Sequence, residues 1–177
     1  SRFKEALWVG LGGPALACWL PGSRWRAALL RLFGARIGRG TVWKPRVRVK
    51  FPWRLSVGDH SWVGEAAWID NLAPVTIGDH VCISQGAYLC TGNHDWSAPG
   101  FDLIDSGIRL ERGVWIGARA LVMPGCHADE GAVLAAGSVG AGRLDAFTIY
   151  RSAQAVAVRS RRIKGAQLRS EASYPSQ

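Results

Sequence analysis

Four histidines, at positions 60, 80, 94 and 127, are the side chains best able to exchange a proton near neutral pH. His94 stands apart from the others, inside LCTGNHDWSAPGFDLID (89–105), a stretch that interrupts an otherwise rhythmic sequence. An imidazole delivered by such a loop is suited to general-base work. Cys90 precedes it by four residues and raises the question of a Cys/His nucleophile pair. Cys90 also directly follows Leu89, a core position of the repeat described below, so a buried filler is the expected role. His60 and His80 each occur as Gly-Asp-His, twenty residues apart, and are expected to stack on one corner of the fold. The four histidines are widely spaced, turn positions are the expected account of His60 and His80, and no metal is expected. Cys18, Cys82, Cys90 and Cys126 form no CxxC pair and no disulfide framework, which fits a reducing cytosol.

The rhythm that positions these residues has a period of six. An aliphatic residue recurs at Val57, Val63 and Ile69, then at Ile77, Ile83 and Leu89 after a two-residue slip in NLAPVT, and again at Leu110, Ile116, Val122, Ala128 and Leu134. A small or β-branched residue stands two places before most of them. Neither a 3.6-residue helix nor a two-residue strand alternation has this period, but short strands joined by tight turns do, three to a triangular coil. The 22 glycines are explained by those turns, where left-handed backbone angles are needed. The hexads resume in register after 91–107, so that stretch is read as a loop ejected from an intact prism.

Upstream, Ser23 is the expected N-cap of a helix whose apolar positions are Trp25, Ala28, Leu29, Leu32 and Phe33, with Gly34 as its stop. The run ALWVGLGGPALACWL is too short to span a bilayer. It is expected either to cap the open end of the coil or to lie on a membrane surface. Arg2, Lys4 and ALAC give it the outline of a lipoprotein signal, but Ala15 stands where leucine is usual, so export is not expected. The organisation is thus an N-terminal segment (1–36), a coil domain (37–150) with its loop, and a basic extension (151–177). The formal charge of +9 points to an anionic partner. No nucleic-acid-binding motif accompanies it, so a phosphorylated cofactor ranks above nucleic acid.

Between about Trp25 and Val158 the chain resembles the hexapeptide-repeat acyltransferases, and within them the colanic-acid-type and galactoside or maltose O-acetyltransferases. The matching stretches are LLRLFGARIG, PWRLSVGD, IDNLAPVTIGD, AYLCTGNHDW, GVWIGARALVMPG and GAVLAAGSV. The resemblance implies an all-β, single-stranded left-handed parallel β-helix with an N-terminal helical segment and a protruding loop. It also implies a homotrimer with active sites between neighbouring prisms, acetyl-CoA as co-substrate and a carbohydrate acceptor. His94 matches the family's catalytic base. Asp70, Asn71, Asp95 and Trp96 fall where relatives contact the acceptor sugar. Trp115, Ala118, Ala136 and Arg159 match residues lining the thioester arm.

The resemblance is incomplete at the cofactor end. Gly140-Ala141-Gly142-Arg143 replaces a stretch in which relatives carry a hydroxyl and an ammonium, and Ser152-Ala153-Gln154-Ala155 replaces a Gly-X-Pro-Ala motif. Arg151, Arg161, Arg162 and Lys164 crowd the same region and offer an alternative set of phosphate partners. The reading is therefore an O-acetyltransferase of surface-polysaccharide synthesis, cytoplasmic or peripheral at the inner membrane through residues 1–22, acting on a free or lipid-linked glycan. Its rival is a trimeric scaffold or sugar-binding relative that has lost coenzyme A.

Overall fold

The computed structural model describes residues 2–95, 97 and 99–152. From Arg36 to Tyr150 the chain winds as a left-handed parallel β-helix whose short strands build three flat faces. The first face runs from Arg36–Ile37 to Arg143–Leu144, the second from Val42–Trp43 to Ile149–Tyr150, and the third from Arg48–Val49 to Val139–Gly140. Two faces have six strands and the third has five, giving close to six coils.

The six-residue period becomes this shape because the inward positions are nearly all apolar, the buried Ser61 and Ser138 being the exceptions. Val57, Val63, Ile69, Ile77, Ile83, Leu89, Leu110, Ile116, Val122 and Leu134 are all buried, and so are Leu55, Ala67, Val75, Val81, Ala87 and Ile108 two places before their partners. Ala128, where the pattern is weakest in sequence, is buried too. At the first corner, between faces one and two, His60 and His80 take left-handed backbone angles (φ 56° and 55°), and their rings stack 5.3 Å apart.

Coil length is where the sequence reading needs correction. Arg36 pairs with Ser56, Ser56 with Thr76, Thr76 with Arg109, Arg109 with His127 and His127 with Arg143, so successive coils take 20, 20, 33, 18 and 16 residues. The slip at 71–74 is therefore preceded by an equal one, the 3₁₀ turn Pro52–Arg54, and the last coil is shortened by two. All these changes fall at the third corner, between faces three and one. The first two corners stay uniform.

The N-terminal segment folds as helix Arg2–Leu7, a π-turn Trp8–Gly12 and a helical turn Gly13–Leu16, followed by helix Ser23–Leu32. Trp8, Leu16, Ala27 and Leu30 join the same core as Ile37, Trp43, Val47 and Val49, and the Trp8 indole donates to the Val49 carbonyl at 3.0 Å. The segment thus closes the first coil. Gly22, not Ser23, is the N-cap, because the Ser23 hydroxyl is taken by the coil: it donates to Thr41 O (3.1 Å) and accepts from Trp43 N (2.7 Å). The helix is also rotated from the expected face, leaving Leu32 78% exposed and Arg26 fully buried. The Arg26 guanidinium donates to the carbonyls of Leu16, Cys18, Leu20 and Gly22 at 2.6–3.2 Å. Burial lowers its pKa, and the four acceptors compensate for its desolvation.

Candidate functional site

The long loop is a two-stranded antiparallel hairpin, Gly92–His94 against Leu103–Asp105, standing off the third corner. Its base is fixed by Thr91, which is buried. The Thr91 hydroxyl donates to Asp70 O (3.0 Å) and accepts from Ala73 N (2.9 Å), and Ser106 N donates to Thr91 O (2.9 Å). The ejected loop and the slip at 71–74 are therefore tied to each other through one hydroxyl.

His94 ends the first hairpin strand, exposed, with its ring stacked on that of Phe101 (4.4 Å between centroids, 8° between planes). Its Nδ1 lies 2.8 Å from the Phe101 main-chain oxygen. A carbonyl only accepts, so in the neutral ring the proton sits on Nδ1 and Nε2 keeps its lone pair. That is the tautomer a general base needs. Phe101 is a partner of the His94 ring that no sequence pattern announces, since its hydrogen bond is made through a main-chain oxygen.

The Asp95 carboxylate is engaged with Ser97. It accepts from Ser97 N (2.9 Å) and Ser97 Oγ (2.5 Å), closing the hairpin turn. Asn71 is buried, and its amide is matched to both main-chain groups of one residue: Phe51 N donates to Oδ1 (2.9 Å) and Nδ2 donates to Phe51 O (2.7 Å). It joins the two slipped corners of successive coils. Asp70 has its carboxylate in a half-buried cluster on face three, with Lys50 Nζ 3.1 Å from Oδ1 and the Tyr88 hydroxyl donating to Oδ2 at 3.1 Å. Burial, then hydrogen bonds with Cys90 and Asp70, push the Tyr88 hydroxyl well above its ordinary pKa. Cys90 Sγ donates to Gly92 O at 3.2 Å, so its thiol is engaged at the hairpin's base. Lys50 and Tyr88 were not singled out in the sequence; strand register alone brings them beside Asp70.

Trp115, Ala118 and Ala136 gather elsewhere, on face two and the second corner. The Trp115 indole is half exposed and donates to Ser84 Oγ at 2.9 Å. The second corner stacks Pro45, Glu65, Gln85, Ala118 and Ala136, one per coil, each followed by a residue in the left-handed region. The main-chain N–H groups of Ala118 and Ala136 have no partner among the described residues. Only in these two coils is the bare backbone flanked by a methyl group instead of a longer side chain. Gly117 permits the coils to approach so closely that a Cβ there would lie 2.4 Å from Ala136 N. Trp96 and Arg159 lie outside the described residues, as does 153–177. Among the described residues no group of three or more His, Cys, Asp or Glu is arranged to hold a metal, and no helix is long and apolar enough to cross a membrane.

No family model matches the chain. Among curated relatives, WcaF of Escherichia coli, named a putative colanic acid biosynthesis acetyltransferase, is 39% identical over 163 residues, covering 91% of this chain and 89% of WcaF. Among solved structures, the hexapeptide-repeat acetyltransferase VCA0836 of Vibrio cholerae superposes with a TM-score of 0.75 at 26% identity, covering 84% of this chain and 87% of the other. A galactoside acetyltransferase in complex with coenzyme A shares the fold, with a TM-score of 0.74 at 19% identity over 84% of this chain and 76% of its own. With a fold built on the hexad, and WcaF matched along nearly its whole length, the chain belongs to the hexapeptide-repeat acetyltransferases.

Proposed function

We propose that the protein transfers an acetyl group from acetyl-CoA to a sugar hydroxyl in surface-polysaccharide synthesis, with His94 as general base. The observation that carries this is the bond between His94 Nδ1 and the Phe101 carbonyl, which leaves Nε2 free to accept a proton. The acceptor oxygen attacks the thioester carbonyl while Nε2 takes the hydroxyl proton. A C–O bond forms, the C–S bond breaks, and the thiolate leaves to be protonated. Both substrates are present together, so no acyl-enzyme is formed and Cys90 remains a bystander.

The thioester arm fits the second corner. Trp115 offers a half-exposed indole, while Ala118 and Ala136 offer main-chain N–H donors that a pantetheine amide can reach. Arg159 is the proposed phosphate partner. On the acceptor side we assign Asp70, Asp95 and Trp96, with Asn71 holding the corner that presents them. His94 and the alanines belong to different corners of one prism, which supports a trimer in which one chain's hairpin meets its neighbour's cofactor corner. Phe101, Leu103 and Ile104, all about half exposed, give that hairpin an apolar surface to bury. We read the protein as cytoplasmic, where its thioester donor is made.

The test is release of free thiol from acetyl-CoA by the full chain, with and without a panel of sugars and lipid-linked glycans. Acceptor-dependent release is expected. Absence of coenzyme A binding and of thiol release would favour a scaffold, and release that no sugar stimulates would overturn sugar transfer.

A further inference from the structure

The N-terminal segment closes the first coil with one side and leaves the other bare. Phe3, Val9, Leu11, Trp19, Leu20 and Leu32 are 51–78% exposed. They form an apolar surface at one end of the prism, contributed by the segment 2–20 and by helix Ser23–Leu32. Between the two lies an apolar hollow of about 360 Å³, lined by Leu7, Leu11, Ala15, Leu29 and Phe33 among others.

The charge is concentrated at the same end. Residues 1–54, which supply the cap and the first coil, carry twelve Lys and Arg against one acid, Glu5, a formal +11. Residues 55–177 carry ten against twelve, a formal −2. The strands of the first coil stand at the end of each sheet, so the basic coil adjoins the apolar cap.

We propose that this end is a docking surface for an anionic lipid bilayer, with the apolar side chains entering the headgroup boundary and the surrounding cations resting on lipid phosphates. Three features of the surface favour that occupant. A nucleic acid would answer the charge but leave Trp19, Leu11 and Phe3 against a polyanion. A second copy would answer the apolar surface but bring two formal +11 ends face to face. A bilayer answers both, and the hollow is of a size and lining to take the end of an acyl chain. The contact is wider than residues 1–22, because Leu32 and Arg24 belong to it. Capping and membrane contact are also compatible, since they use opposite sides of one segment. The proposal does not rest on the reaction assigned above.

The test is flotation of the full chain with phosphatidylcholine vesicles and with mixed phosphatidylcholine and phosphatidylglycerol vesicles. Binding to the mixed vesicles, lost on adding salt, is expected. Two variants separate the contributions: Val9→Ser/Leu11→Ser/Trp19→Ser and Arg2→Glu/Arg24→Glu/Arg39→Glu. Each should weaken binding about tenfold or more while leaving the Tm unchanged. Should a variant fold poorly, a fluorophore on Leu11→Cys in the otherwise native chain should shift to the blue on mixed vesicles only. The proposal is overturned if the native chain does not float, or if folded variants float as well as it does. It is also overturned if duplex DNA is bound and the apolar variant binds it equally without vesicle binding by the native chain, or if the apolar surface proves to be buried in a dimer in lipid-free solution.

Discussion

The second and third corners of the prism flank the same strands of face three and do opposite things. At the second corner every coil spends the same number of residues, so Pro45, Glu65, Gln85, Ala118 and Ala136 form a straight column with a main-chain bond from each coil to the next. At the third corner coil length runs from 16 to 33 residues, and the excess becomes the 3₁₀ turn at 52–54, the slip at 71–74 and the hairpin. A column of unvarying geometry suits a long linear ligand whose recognition is by backbone. A variable corner suits the placement of single side chains. In the proposed function the regular repeat carries the generic half of the chemistry and the exceptions carry the specific half.

The division can be broken most severely at the hairpin. Replacing His94 by alanine is expected to lower the transfer rate by about 10²–10⁴ with no change in Tm, since the ring is exposed; full activity in the variant would remove the base from the mechanism. Next comes Asn71→Leu, which keeps the volume but strands the Phe51 N–H and carbonyl. A loss of about 1–3 kcal/mol per stranded group is expected, read as a Tm lower by about 2–4 °C per kcal/mol, together with reduced turnover.

A milder test makes the upper coils of the second corner resemble the lower ones. Ala118→Gln, copying Gln85 one coil earlier, should raise KM for the thioester about tenfold while kcat and Tm hold. Equal KM values would place the thioester elsewhere. The smallest effect belongs to the first face, which serves as a baseline. There a hydrogen bond from Arg109, with His127 adding to it, holds the Glu111 carboxyl below its usual range. A lowered folded-state pKa means stabilisation present at neutral pH and lost as pH falls through that value. The Tm difference between native chain and Glu111→Gln should be small at pH 7 and vanish on acidification below the ordinary carboxylate range.

The prism was legible from sequence because its core obeys a single period: Ile69, Ile83, Leu89 and Ile116 need only be apolar and six-fold spaced to be buried. The hairpin was legible as a gap in that period, and its histidine by resemblance. What escaped were features decided by partners far along the chain. The stripe Trp25, Ala28, Leu29, Leu32 predicts the wrong helix face because a buried guanidinium, Arg26, gathers four carbonyls from the preceding turn. Pro52–Arg54 reads as ordinary sequence, and only the pairing of Arg36 with Ser56 reveals its coil as two residues longer than three hexads. The Lys50, Asp70 and Tyr88 cluster depends likewise on register across twenty-residue coils.

The Phe101 carbonyl gives the proposed base a form of protection against mutation. Any side chain at 101 brings the same oxygen, so substitution there can strip the stacked ring without deleting the acceptor for the Nδ1 proton. What governs the imidazole's proton is the shape of the turn between Asp95 and Asp102, closed by a main-chain bond of 2.8 Å. Drift in the length or composition of that turn would move the carbonyl, and with it the ring nitrogen that keeps its proton, while leaving the histidine itself untouched.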